Sequence, residues 1–232
     1  MRILITIALI ITSAVTGFAQ LSDPIVSEVT ITSMIRDKYT GDQGAVFYEH
    51  PVSNTDFSVT FRNGMFAGVW VSTGFNGRKD FDKELDLYVG YSRAIQRFQF
   101  STDFEYFAIQ GIDIVNLNGD LSLGPAFVRL EGYAPVKQSG PSKGLIASLG
   151  LKHEFNLGER FSFEIGGRGK YDSGSFGYEK AWLAQGTGIL NFRASSKVTL
   201  IAEAELSKPI KALTDGRKRE ATFGGGISFS FR

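Results

Sequence analysis

The residues best suited to chemistry are two pairs of carboxylates. Asp103 and Glu105 stand two positions apart, and so do Glu203 and Glu205. Two neighbouring carboxylates can divide the acid and base roles of a hydrolytic reaction. Residues two apart in a β-strand also point to the same face. We therefore favour the interpretation that each pair belongs to one charged surface.

Nucleophilic and metal-dependent chemistry would need a different set of residues. A triad requires a histidine beside a nucleophile and an orienting acid, and His50 and His153 are the only histidines. His50 is expected in a loop and His153 on an apolar face. Lys143-Gly144 lacks the spacing of a phosphate-binding loop. We expect no enzymatic activity, no catalytic or metal-binding residue and no cofactor.

The elements that must position the carboxylates are strands. From Ile25 onward the apolar residues recur with a period of two, which predicts about twelve strands and no helix. The chain ends in one of them, Ala221–Arg232, which alternates apolar with small polar residues. In a closed barrel the last strand pairs with the first. The fold class is therefore all-β, a single antiparallel barrel.

One face of the predicted strands is heavily charged, with eleven acidic against six basic residues. If that face surrounds the interior, it lines a water-filled space, because the interior of a twelve-stranded barrel is too wide for its side chains to fill. The alternative is a soluble β protein that turns the charged face to water. The candidates for lining a pore are Glu84, Asp86, Asp103, Glu105, Arg129, Glu131, Lys152, Glu164, Arg168, Lys170, Glu203 and Glu205.

The lengths of the connections favour the membrane barrel. Short turns at one rim and longer loops at the other are typical of outer-membrane barrels, with the short turns in the periplasm. Only the connection at 109–111 departs from this alternation. The predicted short turns are Asn63-Gly64, Ala94–Arg97, Gly124-Pro125, Asn156–Arg160 and Ala194–Lys197.

The beginning of the chain predicts export. Arg2 precedes an apolar run, Ile3–Val15, and Gly17-Phe18-Ala19 supplies small residues for cleavage, which is typical of a signal peptide at 1–19. The run is too short to span a bilayer, which needs about 20 residues. The single domain is then 20–232. It is formally neutral, which argues against a nucleic-acid partner. It contains no cysteine, which excludes a disulfide framework and thiol chemistry.

A resemblance to a known family supports this fold. The run 64–72, GMFAGVWVS, followed by 84–91, ELDLYVGY, resembles the TorF-like porin family of bacterial outer membranes. Members of that family pair a strand of the form Y/F-A-G-V-W-x-S with one of the form E-L-D-L-Y-x-G-Y. The match covers about 30 residues. It implies an outer-membrane barrel with pore activity and carries over no catalytic or ligand residue.

Together these patterns predict a porin-like channel in the outer membrane of a Gram-negative bacterium, passing small hydrophilic solutes or ions. The alternative is a barrel with a closed lumen and an adhesive or structural role, because the same charges could pair across the interior. Trp70 is expected to fill space inside the barrel. The expected partners are outer-membrane lipid and lipopolysaccharide, the latter through a basic last loop containing Lys208, Lys211 and Arg217-Lys218-Arg219.

Overall fold

The computed structural model describes residues 25–75, 83–109, 112–136 and 142–232. The predicted signal peptide, 1–19, lies outside the described residues. So do parts of three predicted connections, at 76–82, 110–111 and 137–141.

Fourteen strands are present in the described residues, and twelve of them form one closed antiparallel barrel. The prediction of a twelve-stranded all-β barrel is therefore confirmed. Two short strands, β2 and β3, pair only with each other. The strands are β1 (Val26–Arg36), β2 (Tyr39–Thr40), β3 (Val46–Tyr48), β4 (Val52–Phe61), β5 (Met65–Gly74), β6 (Glu84–Ile95), β7 (Phe98–Ile109), β8 (Ile112–Leu123), β9 (Ala126–Pro135), β10 (Gly144–Asn156), β11 (Phe161–Asp172), β12 (Ala181–Arg193), β13 (Val198–Pro209) and β14 (Glu220–Phe231).

Helical structure in the described part of the chain is limited to one 3-10 turn, Ser175–Gly177. No helix among the described residues has the length and apolarity needed to cross a membrane.

The barrel closes where β1 pairs with β14. Thr32 and Ser228 face each other inside this seam, with their hydroxyl oxygens 2.8 Å apart. A Cβ atom on Gly226 would come within 2.2 Å of the carbonyl oxygen of Ser33, so the small residues of the last strand allow the close approach. Just after the end of β1, Asp37 and Phe223 form two hydrogen bonds of 2.9 Å. The Asp37 backbone N–H donates to the Phe223 carbonyl oxygen, and the Phe223 N–H donates to Oδ1 of Asp37.

The two faces of the barrel differ as the alternation predicts. Large apolar side chains point outward, and Leu149 and Leu151 remain more than 60% exposed. Charged and polar side chains point inward, so that Glu84, Glu131 and Lys170 are buried. An apolar outer band around a polar interior suits a barrel whose outer surface meets lipid. A soluble barrel would have the opposite arrangement.

The rims are also unequal. The connections 62–64, 96–97, 124–125, 157–160 and 194–197 are short and lie at one rim, together with both described ends of the chain. At the opposite rim the connections 37–51, 173–180 and 210–219 are longer. We call the first rim the short-turn rim and the second the loop rim.

The sequence predicts a long polar loop at 37–54 as the first connection, and the structure differs from this prediction. The last residues of this stretch belong to β4, and β2 and β3 form a hairpin within it. We call residues 37–51 the inner loop. Tyr39, Ala45 and Tyr48 are less than 9% exposed, and the Tyr39 ring lies 6.0 Å from that of Trp70 on the barrel wall. Burial of these apolar groups holds the loop inside the barrel mouth.

Candidate functional site: two chambers inside the barrel

The half of the interior nearer the loop rim contains a cavity of about 380 Å³, which we call the outer chamber. The inner loop covers it, with Tyr39, Asp42 and Phe47 among the lining residues. Six carboxylates line the chamber against two guanidinium groups, which makes it acidic. These groups are Asp42, Asp56, Glu84, Asp86, Glu105, Glu205, Arg36 and Arg129.

Strand register builds the wall of this chamber. Asp86 on β6 stands directly opposite Trp70 on β5 and Phe107 on β7. Its carboxylate therefore lies in a row between two aromatic side chains. Tyr88, one inward position further along β6, donates a 2.8 Å hydrogen bond to Asp56 on β4. The alternation of β6 thus places acids and aromatic rings together on one wall.

A second cavity of about 310 Å³ lies toward the short-turn rim, and we call it the inner chamber. Its charged groups are Asp120 against Arg129, Lys152 and Arg168, so it is basic. The other lining residues are Gln99, Ser101, Ser122 and Phe127. Arg129 lines both cavities, which places the two chambers next to each other along the barrel.

Arg129 is held at this boundary by two acids. Its Nε lies 2.9 Å from Oε1 of Glu131, and its Nη1 lies 3.6 Å from Oδ2 of Asp120. Glu131 is fully buried, and a buried carboxylate requires a nearby cation. The pair fixes the guanidinium group on the wall between the chambers.

The tip of the inner loop reaches the same boundary. The Asp42 carboxylate lies 3.5 Å from Nη2 of Arg168, and the buried Lys170 ammonium donates a hydrogen bond to the Asp42 backbone oxygen. Burial alone would raise the pKa of Asp42, but Lys170, Arg129 and Arg168 outweigh it and lower that pKa. The loop tip is therefore an anion held by three cations of the barrel wall.

The predicted pore-lining residues occupy several positions in this arrangement. Glu84, Asp86, Glu105, Arg129 and Glu205 line the outer chamber, and Arg129, Lys152 and Arg168 line the inner one. Lys170 and Glu131 are buried at the boundary.

The other three candidates line neither chamber. Asp103 accepts a 2.7 Å hydrogen bond from Asn118. Glu203 pairs with Arg36 at 2.5 Å. Glu164 stands directly opposite Glu154, toward the short-turn rim.

Arg217 closes the loop rim, and sequence reasoning missed this role. Its side chain is only 1% exposed. The guanidinium group donates to the Gln43 backbone oxygen at 3.1 Å, to Asp172 at 2.7 Å and to the Glu179 backbone oxygen. It also pairs with Asp215 at 2.8 Å. One side chain thus joins the inner loop, the end of β11 and the loops at 173–180 and 210–219. We call this assembly the outer cover.

The prediction of an exposed basic last loop is therefore wrong for Arg217. Asp172, which is fully buried, and Asp215 draw the guanidinium group inward. The guanidinium group also lies over the Tyr178 ring, with its Cζ atom 5.1 Å from the ring centroid. Lys218 remains 72% exposed.

The histidines lie outside the chambers. His50 packs edge-on against Tyr48 at the loop rim, and His153 lies 4.4 Å from the Phe155 ring on the outer face. Among the described residues, no three His, Cys, Asp or Glu side chains are grouped to hold a metal ion.

Comparison with known proteins shows similarity in structure only. No family model matches the chain, and no curated protein matches it by sequence. The structure of the KdgM porin in complex with disordered oligogalacturonate matches with a TM-score of 0.55 at 10% identity, covering 88% of this chain and 99% of that chain. The NanC porin matches with a TM-score of 0.57 at 11% identity, covering 87% and 98% of the two chains. The COG4313 outer membrane channel from Pseudomonas putida F1 matches with a TM-score of 0.53 at 10% identity, covering 90% and 97%. The chain therefore shares the fold of these outer-membrane porins and channels.

Proposed function

We propose that this protein is a porin-like channel of the bacterial outer membrane for small hydrophilic solutes or ions, and that it belongs to the TorF-like porin family. The observation that carries the proposal is the pair of charged cavities inside one barrel. They lie on either side of Arg129, and together they extend from the inner loop toward the short-turn rim. A polar, hydrated path inside an apolar outer band is what passive diffusion requires.

The dimensions and charges of the chambers limit the solute. Each cavity is at or near the lower end of the usual range for small-molecule sites, about 300–1,000 Å³. The KdgM structure is a complex with a disordered oligogalacturonate, which is an acidic sugar chain. The acidic outer chamber of this protein would repel such a solute. A small neutral or cationic solute suits the path better.

The proposal includes location and orientation. Cleavage after Ala19 would leave the barrel, 20–232, for insertion with its short turns in the periplasm. The exposed Lys208, Lys211 and Lys218 at the loop rim would then meet the phosphates of lipopolysaccharide. No residue is assigned a catalytic role.

Planar bilayers test the channel directly. Purified protein that has passed a heat-modifiability check on gels should give stepwise conductance, with a mild preference for cations. In Glu205→Gln that preference should fall, because the substitution removes a charge from the outer chamber wall. Glu164→Gln, which lines neither chamber, serves as the control. Folded protein that gives no conductance steps under any condition would contradict the proposal.

A barrel with a closed lumen and an adhesive or structural role is the second candidate. The observation that favours it is the outer cover, in which Arg217 is buried among three connections. The same bilayer experiment separates the two functions. Folded protein that stays silent, together with binding of intact cells to a surface, would favour the second.

A further inference from the structure

Three hydrogen-bond acceptors and one amide donor, Nε2 of Gln43, line the outer chamber buried and without either a hydrogen-bond partner or an ion pair. Oε2 of Glu84, Oδ1 of Asp86 and Oδ1 of Asn116 are all buried without a hydrogen-bond partner. Each of these side chains is more than nine-tenths buried and lines the chamber. The Asn116 side-chain nitrogen donates hydrogen bonds to Asn118 at 2.8 Å and to Glu105 at 3.4 Å, whereas its side-chain oxygen has no partner. Three unmatched acceptors together call for a ligand that donates.

The cations that line the chamber are engaged elsewhere. Arg36 pairs with Glu203 at 2.5 Å, and Arg129 pairs with Glu131 at 2.9 Å. No ion pair of Glu84 or Asp86 with a basic side chain occurs within the described part of the chain. Among the described residues, the two neighbouring carboxylates on β6 therefore have no basic partner, which is costly in a buried site.

The surrounding rings select the kind of cation. Asp86 stands between Trp70 and Phe107 on adjacent strands, and Tyr39 covers Trp70 from the inner loop. Aromatic faces attract ammonium groups and their alkyl substituents. An inorganic divalent ion needs several oxygen ligands converging at about 2.0–2.6 Å, whereas no three acidic or histidine side chains in the described ranges are grouped in that way.

We propose that the outer chamber binds a small organic ammonium ion, with the ammonium group at Glu84, Asp86 and Asn116 and its alkyl part against Trp70 and Phe107. This deepens the proposed function, since it names the class of solute for which the channel is built. It does not depend on conductance, because binding can be measured on the protein in detergent.

Tryptophan fluorescence provides the measurement. The chain has two tryptophans, and Trp182 lies on the outer face beside Tyr171. A Trp182→Phe background leaves Trp70 as the reporter. Titration with 1,4-diaminobutane at constant ionic strength should give a saturable change. Glutarate, 1-butanol and additional NaCl should not.

Substitutions locate the site. Asp86→Asn and Glu84→Gln should each weaken 1,4-diaminobutane binding at least about tenfold, because each removes a charge-assisted hydrogen bond. Glu164→Gln removes the same charge from the same face outside the chamber and should leave binding unchanged. Asn116→Asp should tighten binding. Heat-modifiable migration confirms that each variant is folded.

Three results would overturn the inference: no saturable change in the parent protein, equal loss in Glu164→Gln, or tighter binding of Mg²⁺ than of the diamine. The parent protein alone decides the first and third, so a variant that fails to fold leaves the test intact. A protein that conducts without binding the diamine would refute this inference only. A protein that binds the diamine without conducting would refute the channel only.

Discussion

Replacement of Arg217 by alanine should open the outer cover. The side chain makes polar contacts with Gln43, Asp172, Glu179 and Asp215. Without it, the fully buried Asp172 loses its cation. Removing one partner of a buried ion pair costs about 3–5 kcal/mol. Oδ1 of Asp172 keeps two backbone N–H donors, from Gly174 and Ser175, so we expect the lower end of that range.

A cost of about 3 kcal/mol shifts the ratio of closed to open cover by roughly a hundredfold. Two assays should detect that shift. In planar bilayers, Arg217→Ala should give larger or longer conductance steps than the parent protein. A single cysteine at Ala45→Cys should react much faster with an impermeant maleimide when Arg217 is absent, because Ala45 is only 3% exposed in the closed cover. The chain has no cysteine of its own, so background labelling is low.

Lys218→Ala is the matched control. Lys218 is the next residue, is 72% exposed and makes one 3.6 Å contact with Glu220, so its loss should change neither assay. Arg217→Lys should resemble Arg217→Ala, because an ammonium group cannot replace the planar fork of donors. If conductance and labelling in Arg217→Ala equal those of the parent and of Lys218→Ala, the reasoning is refuted.

Three further predictions concern charge, orientation and pH. The outer chamber is acidic and the inner chamber is basic, so current through oriented channels should be larger when the loop-rim side is positive. Lys152→Glu should reduce this asymmetry. A linear current–voltage curve in the parent protein would contradict the prediction. An epitope inserted at the exposed Lys211 should be labelled on intact cells and one at Asn63-Gly64 should not; the reverse pattern would mean that the barrel is inverted. Burial alone would raise the pKa of Asp215, but hydrogen bonds from Arg217 and from two backbone amides outweigh it and lower that pKa. Because the pKa of Asp215 is lowered in the folded protein, its ionised carboxylate stabilises the cover at any pH above the ordinary carboxyl pKa of about 4. This stabilisation is lost as the pH falls through the lowered pKa. Because the thiolate is the reacting form, the maleimide labelling rate of Ala45→Cys is divided by that of Lys218→Cys, an exposed reference, at the same pH. This ratio should be the same at pH 5 and pH 7, and a larger ratio already at pH 5 would be inconsistent with the prediction.

The barrel could be predicted from the sequence because its strands carry a local signal. In β6, Leu85, Leu87 and Val89 alternate with Glu84, Asp86 and Tyr88, and the structure turns the first set outward and the second inward. Strand pairing needs only this period of two and short turns between neighbours. Both features involve residues that are close together in the sequence, so they can be recognised without knowledge of the fold.

The outer cover could not be predicted in this way, because its contacts join residues that are far apart in the chain. Arg217 and Gln43 are 174 positions apart, and a run of three basic residues is more often a solvated surface. The inner loop did carry a signal, since Tyr39, Phe47 and Tyr48 are too apolar for an exposed connection. The alternating charges likewise could not reveal that one chamber is acidic and the other basic, since that division depends on the stagger of the strands.

The seam between β1 and β14 imposes an order on assembly. Asp37 and Lys38, at the base of the inner loop, are bound to Phe223 and Glu220 of the last strand. The loop follows the first barrel strand, but these partners lie on β14, which is made after the other barrel strands. Contacts this distant in sequence form late in folding. The base of the inner loop should therefore be fixed only when the barrel closes, and a chain truncated before residue 220 would lose this attachment together with β14.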